Sequence, residues 1–230
     1  LAEVGETIAR REITVSYAAP LDEAQTLGRF WAHFPLQDVT SARGIHNAPW
    51  RINDDRTNLL EGVFNEEILE KVAELLVDSL PHLSSSEDPA KHFDYLPARG
   101  REAPNFADKF LTELVPKLAS ETACVPDMNG TLKTPGQLAY PNADVRLEPE
   151  TMVLWDEIPQ RPSGWAHPSC YRTATRRARL RALVRRDDSR ASPREVSVSD
   201  WLEAGVSTGE DLQCDHALQV FRSIKDDIAR

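Results

Sequence analysis

The run GIHNAPWRINDDRTNLLEG, Gly44 to Gly62, leads almost directly into FNEEILEKVAELLVDSL, Phe64 to Leu80. The first opens like a strand, sets Pro49 against Trp50, and gathers Arg51, Asp54, Asp55 and Arg56 ahead of a Leu-Leu pair. The second carries Ile68, Leu69, Val72, Leu75, Leu76 and Leu80 at helical spacing. This switch from period 2 to period 3.6 predicts a strand over 44–52, a charged turn, and a helix over about 65–80. The helix should lay its Ile68/Val72/Leu76 face on a sheet. Asn65 reads as the helix N-cap and Pro81 as its stop. A buried strand has no use for so many charges, and a plain surface turn has no use for a tryptophan.

Working outward, Ile13, Val15 and Tyr17 alternate with polar neighbours, which predicts a half-buried strand over 11–18. In 29–35, Phe30, Ala32 and Phe34 fall on one face and Trp31 and His33 on the other. That reads as an interior strand ended by Pro35, with Pro49 placing the 44–52 strand near an edge or bulge. Asp88-Pro89 reads as a helix start, and residues 105–120 as a helix broken or kinked around Pro116. Asn129-Gly130 is the pair favoured by a type I′ hairpin turn. CYRTATRRARLRALVRR predicts a helix with Leu180, Leu183 and Val184 inside, and Ser197/Asp200 a capping box before a further helix. The fold class expected is α+β: a sheet-and-helix subdomain over 1–84, then a mostly helical region over 85–230 with one hairpin near 124–134.

Composition narrows the function. With 40% hydrophobic and 28% charged residues, the 230-residue chain is ordinary for a globular protein. A formal net charge of −10 repels polyanions, so nucleic acid would need a local basic patch. No apolar run approaches the ~18 residues of a membrane span, and no basic-then-apolar leader opens the chain. Three widely spaced cysteines point to free thiols in a reducing, cytoplasmic compartment rather than to disulfides or zinc. The histidines have no metal spacing, and no nucleophile elbow or glycine-rich phosphate loop is present. The chain alone is expected to hold no metal or cofactor and to catalyse nothing. Because it opens on Leu1 rather than Met, it reads as part of a longer protein.

Two arginine clusters remain. Between Arg172 and Arg194 there are nine arginines and two acids. Arg176, Arg177 and Arg185 are the residues a nucleic-acid-binding helix would use, but no aromatics interleave beyond Tyr171. The favoured reading is a solvated helix whose arginines pair with the acidic remainder. For the Gly44–Gly62 run, one reading packs Trp50 on the long helix and lets Arg51 and Arg56 pair with carboxylates. The other projects Arg56 from a strand end toward an anionic ligand. A purely structural interaction domain is the third possibility for the whole chain.

FWAHFPL, GIHNAPWRINDDRTNLL and FNEEILEKVAELL, taken in order, resemble the region after the ATP-binding domain of sacsin-like proteins. These belong to the GHKL superfamily, with the ninety-kilodalton heat-shock chaperones, gyrase B and MutL. The VPDMNG hairpin and the SVSDWLEAG segment also look like bacterial sacsin-like members. The resemblance implies a transducer-like region whose partner is its own upstream ATP-binding domain. It implies that Arg56 contacts the γ-phosphate there, with Asn53 and Asp55 shaping the turn. ATP and Mg would belong to the intact protein, an ATPase with chaperone activity and an unknown client. The family's nucleotide-binding motifs do not occur in this chain, so it should neither bind nor hydrolyse ATP by itself.

Overall fold

A computed structural model describes residues 12–20, 27–97, 105–143, 164–183, 194–197 and 199. Four strands, β1 (Ser16–Ala18), β2 (Gly28–Ala32), β3 (Phe34–Thr40) and β4 (Ile45–Asn47), form a sheet in the order β1-β4-β2-β3. β4 is antiparallel to β1 and parallel to β2, while β3 is antiparallel to β2. Register places Tyr17 and Phe30 on either side of His46. The three rings share the inner face: His46 stacks on Tyr17 at 5.4 Å, and Phe30 meets Trp50 edge-on at 5.5 Å. Gly44 makes this packing possible, because a Cβ there would lie 2.4 Å from the Tyr17 ring and its φ is 128°.

The strands expected over 11–18 and 44–52 are shorter, Ser16–Ala18 and Ile45–Asn47, and the sheet differs from the sequence expectation in two further ways. The 29–35 stretch is not one strand: the chain reverses at His33, whose φ is 67°, and Pro35 lies inside β3 rather than ending a strand. A proline is tolerated there because β3 is the last strand in the order. β4, in turn, is not at an edge but between β1 and β2, and Pro49 lies two residues past its end at Asn47.

α1 (Val63–Ser79) buries Ile68, Val72 and Leu76 as the spacing requires, together with Leu69 and Ala73. It packs on α2 (Phe106–Ser120) and reaches β1. Its N-cap is Gly62, not Asn65, which sits inside the first turn with its side chain used elsewhere. Pro81 opens the 3₁₀ turn Leu80–Leu83 that follows the helix. The Asp88-Pro89 start is present in part: the Asp88 carbonyl accepts the Lys91 amide at 3.0 Å and leads into the short 3₁₀ helix Lys91–Tyr95, whose N-cap is Ala90, while the Asp88 carboxylate also takes an arginine. α2 runs through Pro116 without a break.

The start of α2 is tied to the end of β3. Asn105 caps the helix by accepting from the Asp108 amide at 2.9 Å and donates to the Val39 carbonyl at 2.8 Å. The buried Asp108 carboxylate accepts from the Thr40 hydroxyl, the Ser41 amide and the Ser41 hydroxyl at 2.8, 2.6 and 2.9 Å. A carboxylate in the first turn is also favoured by the helix dipole.

The hairpin of β5 (Val125–Pro126) and β6 (Leu132–Lys133) is present, but its turn is not type I′. The Gly130 amide closes on the Asp127 carbonyl at 2.8 Å, Gly130 has φ 80°, and Asn129 has no positive φ. Asp127 decides this, its carboxylate accepting from the Asn129 and Thr131 amides at 2.9 Å each. The result is a three-residue loop with glycine at the left-handed position.

β7 (Ala139–Pro141) pairs in parallel with β8 (Arg194–Val196), and α3 (Ala174–Ala182) packs nearby with Leu180 and Leu183 buried. The architecture is α+β. Phe30, Trp50, Leu69, Leu111, Tyr140 and Leu180 belong to one hydrophobic cluster, so sheet and helices share a core. Val184, Arg185 and the expected helix after the Ser197/Asp200 box lie outside the described residues. Among the described residues, no helix is long and apolar enough to cross a membrane.

Candidate functional site

Beyond β4 the chain makes a small hairpin of its own, closed by an antiparallel bridge between Ile52 and Leu59. Arg56 sits near its tip with φ 57°, one of only two non-glycine residues at positive φ among those described. That conformation costs an ordinary side chain roughly 1–2 kcal/mol, so the surroundings must impose it. Asn53 does much of this. Its carbonyl accepts the Arg56 amide at 2.9 Å, and its side-chain oxygen accepts the Thr57 and Asn58 amides at 2.8 and 3.1 Å. Its amide group donates to the Thr57 hydroxyl at 3.1 Å, which donates onward to Asn58 Oδ1 at 2.9 Å.

The turn is also fastened to the sheet. The Gln37 amide donates to the Thr57 carbonyl at 2.8 Å, and the Asp38 carboxylate accepts from the Leu59 amide at 2.6 Å and from the Asn58 side chain at 3.2 Å. At its base, buried Asn65 accepts the Arg51 amide at 2.9 Å and donates to the Arg51 and Leu60 carbonyls at 2.7 and 2.6 Å. Leu59 and Trp50 are buried below. The tryptophan thus packs into the core while the charges remain at the surface.

Arg56, Asp54 and Asp55 are exposed, and their side chains make no hydrogen bond or ion pair among the described residues. The side-chain bonds that shape the turn come from Asn53, Thr57, Asn58 and Asp38. Asp38 was not visible as a participant in the sequence, because a lone acid in a strand carries no motif. Beside the turn, a pocket of about 180 Å³ is lined by Arg51, Leu60, Glu61, Gly62, Phe64 and Asn65. It is smaller than the ~300–1,000 Å³ that usually encloses a small-molecule ligand.

In the second arginine cluster the arginines pair with acids as expected, with Arg172 and Arg181 exposed, but Arg176 and Arg179 are buried rather than solvated. Arg176 is 3% exposed and forks onto two carboxylates: Asp88 at 2.8 Å through both terminal nitrogens, and Asp94 at 2.9 and 2.5 Å. Arg172 adds a 2.8 Å pair to Asp88, and Arg179 lies 3.7 Å from Asp94. Arg176 holds the Asp88 carboxyl below its ordinary pKa. Burial disfavours the Arg176 charge, but Asp94 and Asp88 outweigh it and keep the guanidinium more firmly protonated than usual. Arg177 donates to the Pro141 carbonyl at 2.6 Å and lies over the Tyr171 and Tyr140 rings at 5.4 and 5.9 Å. Arg181 pairs with Glu195. Arg176 and Arg177 are therefore built into the packing of α3.

Two buried histidines and two buried cysteines are biased toward their neutral forms. Burial pulls the His46 pKa down to about 4 and pushes the Cys124 thiol up to about 12. Burial also raises Cys170 and lowers His92. These thiols are far from the thiolate state that nucleophilic or metal chemistry requires. Among the described residues, no group of three or more His, Cys, Asp or Glu side chains is placed to hold a metal ion.

The chain matches no known family model, no curated protein and no solved structure.

Proposed function

We propose that this chain is a transducer-like region that supplies Arg56 to the γ-phosphate of ATP bound, with Mg, in an upstream domain of a sacsin-like GHKL ATPase. One observation carries the reading: an exposed guanidinium, without a partner among the described residues, on a turn pinned in a left-handed conformation. Glycine or asparagine would occupy that position at lower conformational cost, so the arginine is there for its side chain. An arginine offers a planar fork of donors matched to phosphate oxygens and stabilises the charge that develops as the phosphoryl group leaves. A turn already fixed by hydrogen bonds delivers that fork without having to order itself first.

In the intact protein, Arg56 should react with a guanidinium-selective dicarbonyl reagent, and a non-hydrolysable ATP analogue with Mg should shield it. Peptide mass mapping reads both states. Equal modification with and without nucleotide would contradict the proposal.

A further inference from the structure

Asp38 lies 18 positions before Arg56, on β3, yet it holds the far arm of the turn that carries Arg56. Its two carboxylate oxygens take the Leu59 amide at 2.6 Å and the Asn58 side chain at 3.2 Å, while its neighbour Gln37 donates to the Thr57 carbonyl at 2.8 Å. From Asn58 the network passes through the Thr57 hydroxyl to Asn53, whose carbonyl closes the turn on the Arg56 amide at 2.9 Å. Without Asp38, the 53–59 turn would keep its internal bonds but lose its side-chain anchor to β3. The turn could then shift as a unit while remaining folded.

We infer that Asp38 is a positioning residue for Arg56, setting the height and angle at which the guanidinium leaves the sheet. The inference rests on the proposed role of Arg56. The chemistry requires such an anchor. An ionised acceptor makes a stronger bond to an amide than a neutral group does, and a displacement of about 1 Å in a group that stabilises a transition state can cost ~10²-fold in rate. Because the arginine acts on charge that appears only as the phosphoryl group departs, misplacing it should lower kcat and leave KM for ATP almost unchanged.

The test compares Asp38→Ala, Asp38→Asn and Arg56→Ala in the intact protein, measuring kcat and KM for ATP, with hydrogen exchange at the Leu59 amide in each variant. The expected result is a kcat lowered about 10- to 100-fold in Asp38→Ala, with KM within about twofold and faster exchange at Leu59. Asp38→Asn keeps one acceptor oxygen and should restore part of the rate. If Arg56→Ala lowers turnover while Asp38→Ala leaves kcat at the parent value, the positioning role is wrong and the arginine reading survives. If Arg56→Ala leaves turnover unchanged, both are overturned. A matching rise in KM, or no recovery with Asn, would make Asp38 a general scaffold residue and also end the inference.

Discussion

Arg56 and Arg176 carry the same side chain to opposite ends. Arg176 is buried, reaches two carboxylates with short paired bonds, and fastens α3 to the 88–95 segment. Arg56 is exposed and has no such partner among the described residues, although its backbone is held at one of the two positive-φ positions that non-glycine residues occupy among them. At one site the guanidinium is satisfied and holds the fold. At the other the fold fixes the backbone and leaves the guanidinium at the surface. Exposure on a rigid turn, rather than charge or local density of arginines, is what separates a group available for a ligand from one consumed by structure.

Removing Arg176 is the most severe way to break this contrast. Arg176→Ala would strand Asp88 and Asp94, and breaking a buried pair from one side usually costs about 3–5 kcal/mol. Partial exposure of the two carboxylates places the expected loss toward the lower end. Equilibrium denaturant unfolding of the 230-residue chain measures it. A loss under about 0.5 kcal/mol would show that Arg176 is no clasp.

Acid tests the sheet independently of the clasp. His46 is fully buried against Tyr17 and Phe30, with Nε2 3.0 Å from the Ala42 carbonyl. Its folded pKa of about 4 lies below the ordinary 6.5, so its neutral form is the one that the fold accommodates. The contribution is complete above pH 6.5 and is lost as pH falls toward 4. Over that range it amounts to about 3 kcal/mol. His92, also depressed by burial, acts in the same direction. A His46→Leu variant should show a flatter stability curve between pH 7 and 4.5, and an unchanged curve would contradict the assignment. Asp88 adds its loss only at lower pH, through the range where carboxylates protonate, because its folded pKa is depressed.

A smaller effect is expected where α2 meets β3. Asp108→Ala leaves the Ser41 amide and two hydroxyls without their acceptor, at a cost of about 1–3 kcal/mol. Thermal unfolding would reveal it, and a neutral outcome would mean that water replaces the carboxylate.

The smallest effect has the opposite sign. Arg56→Gly should be more stable than Arg56→Ala by about 1 kcal/mol, because glycine adopts φ 57° without the Cβ clash. If alanine is as stable as glycine, the left-handed turn is not retained in solution.

The sequence made α1 and its buried face legible, because a 17-residue helix with one apolar stripe carries its own signal. The exposure of Arg56 was also foreseeable from its polar neighbours. The reversal at His33 was hidden, since neither histidine nor the Phe34-Pro35 that follows marks a hairpin turn. The clasp was hidden for a different reason: Asp88 and Arg176 are 88 positions apart, and nothing local announces which of many acids will meet which arginine. Asp38 and Asp108 were missed on the same ground. Asn65 offered a plausible cap, but its amide side chain proved more useful bridging Arg51 and Leu60.

The most direct test is ATP turnover in the intact protein carrying Arg56→Ala, set beside Arg176→Ala and corrected for the folded fraction of each. For Arg56→Ala the account predicts a fall of about 10³-fold, the scale of an arginine supplied to phosphoryl transfer. Its unfolding free energy should stay within about 0.5 kcal/mol of the parent. Arg176→Ala should lose stability and keep its turnover per folded molecule. Normal turnover in Arg56→Ala, or a loss of activity that follows its unfolding, would contradict the account.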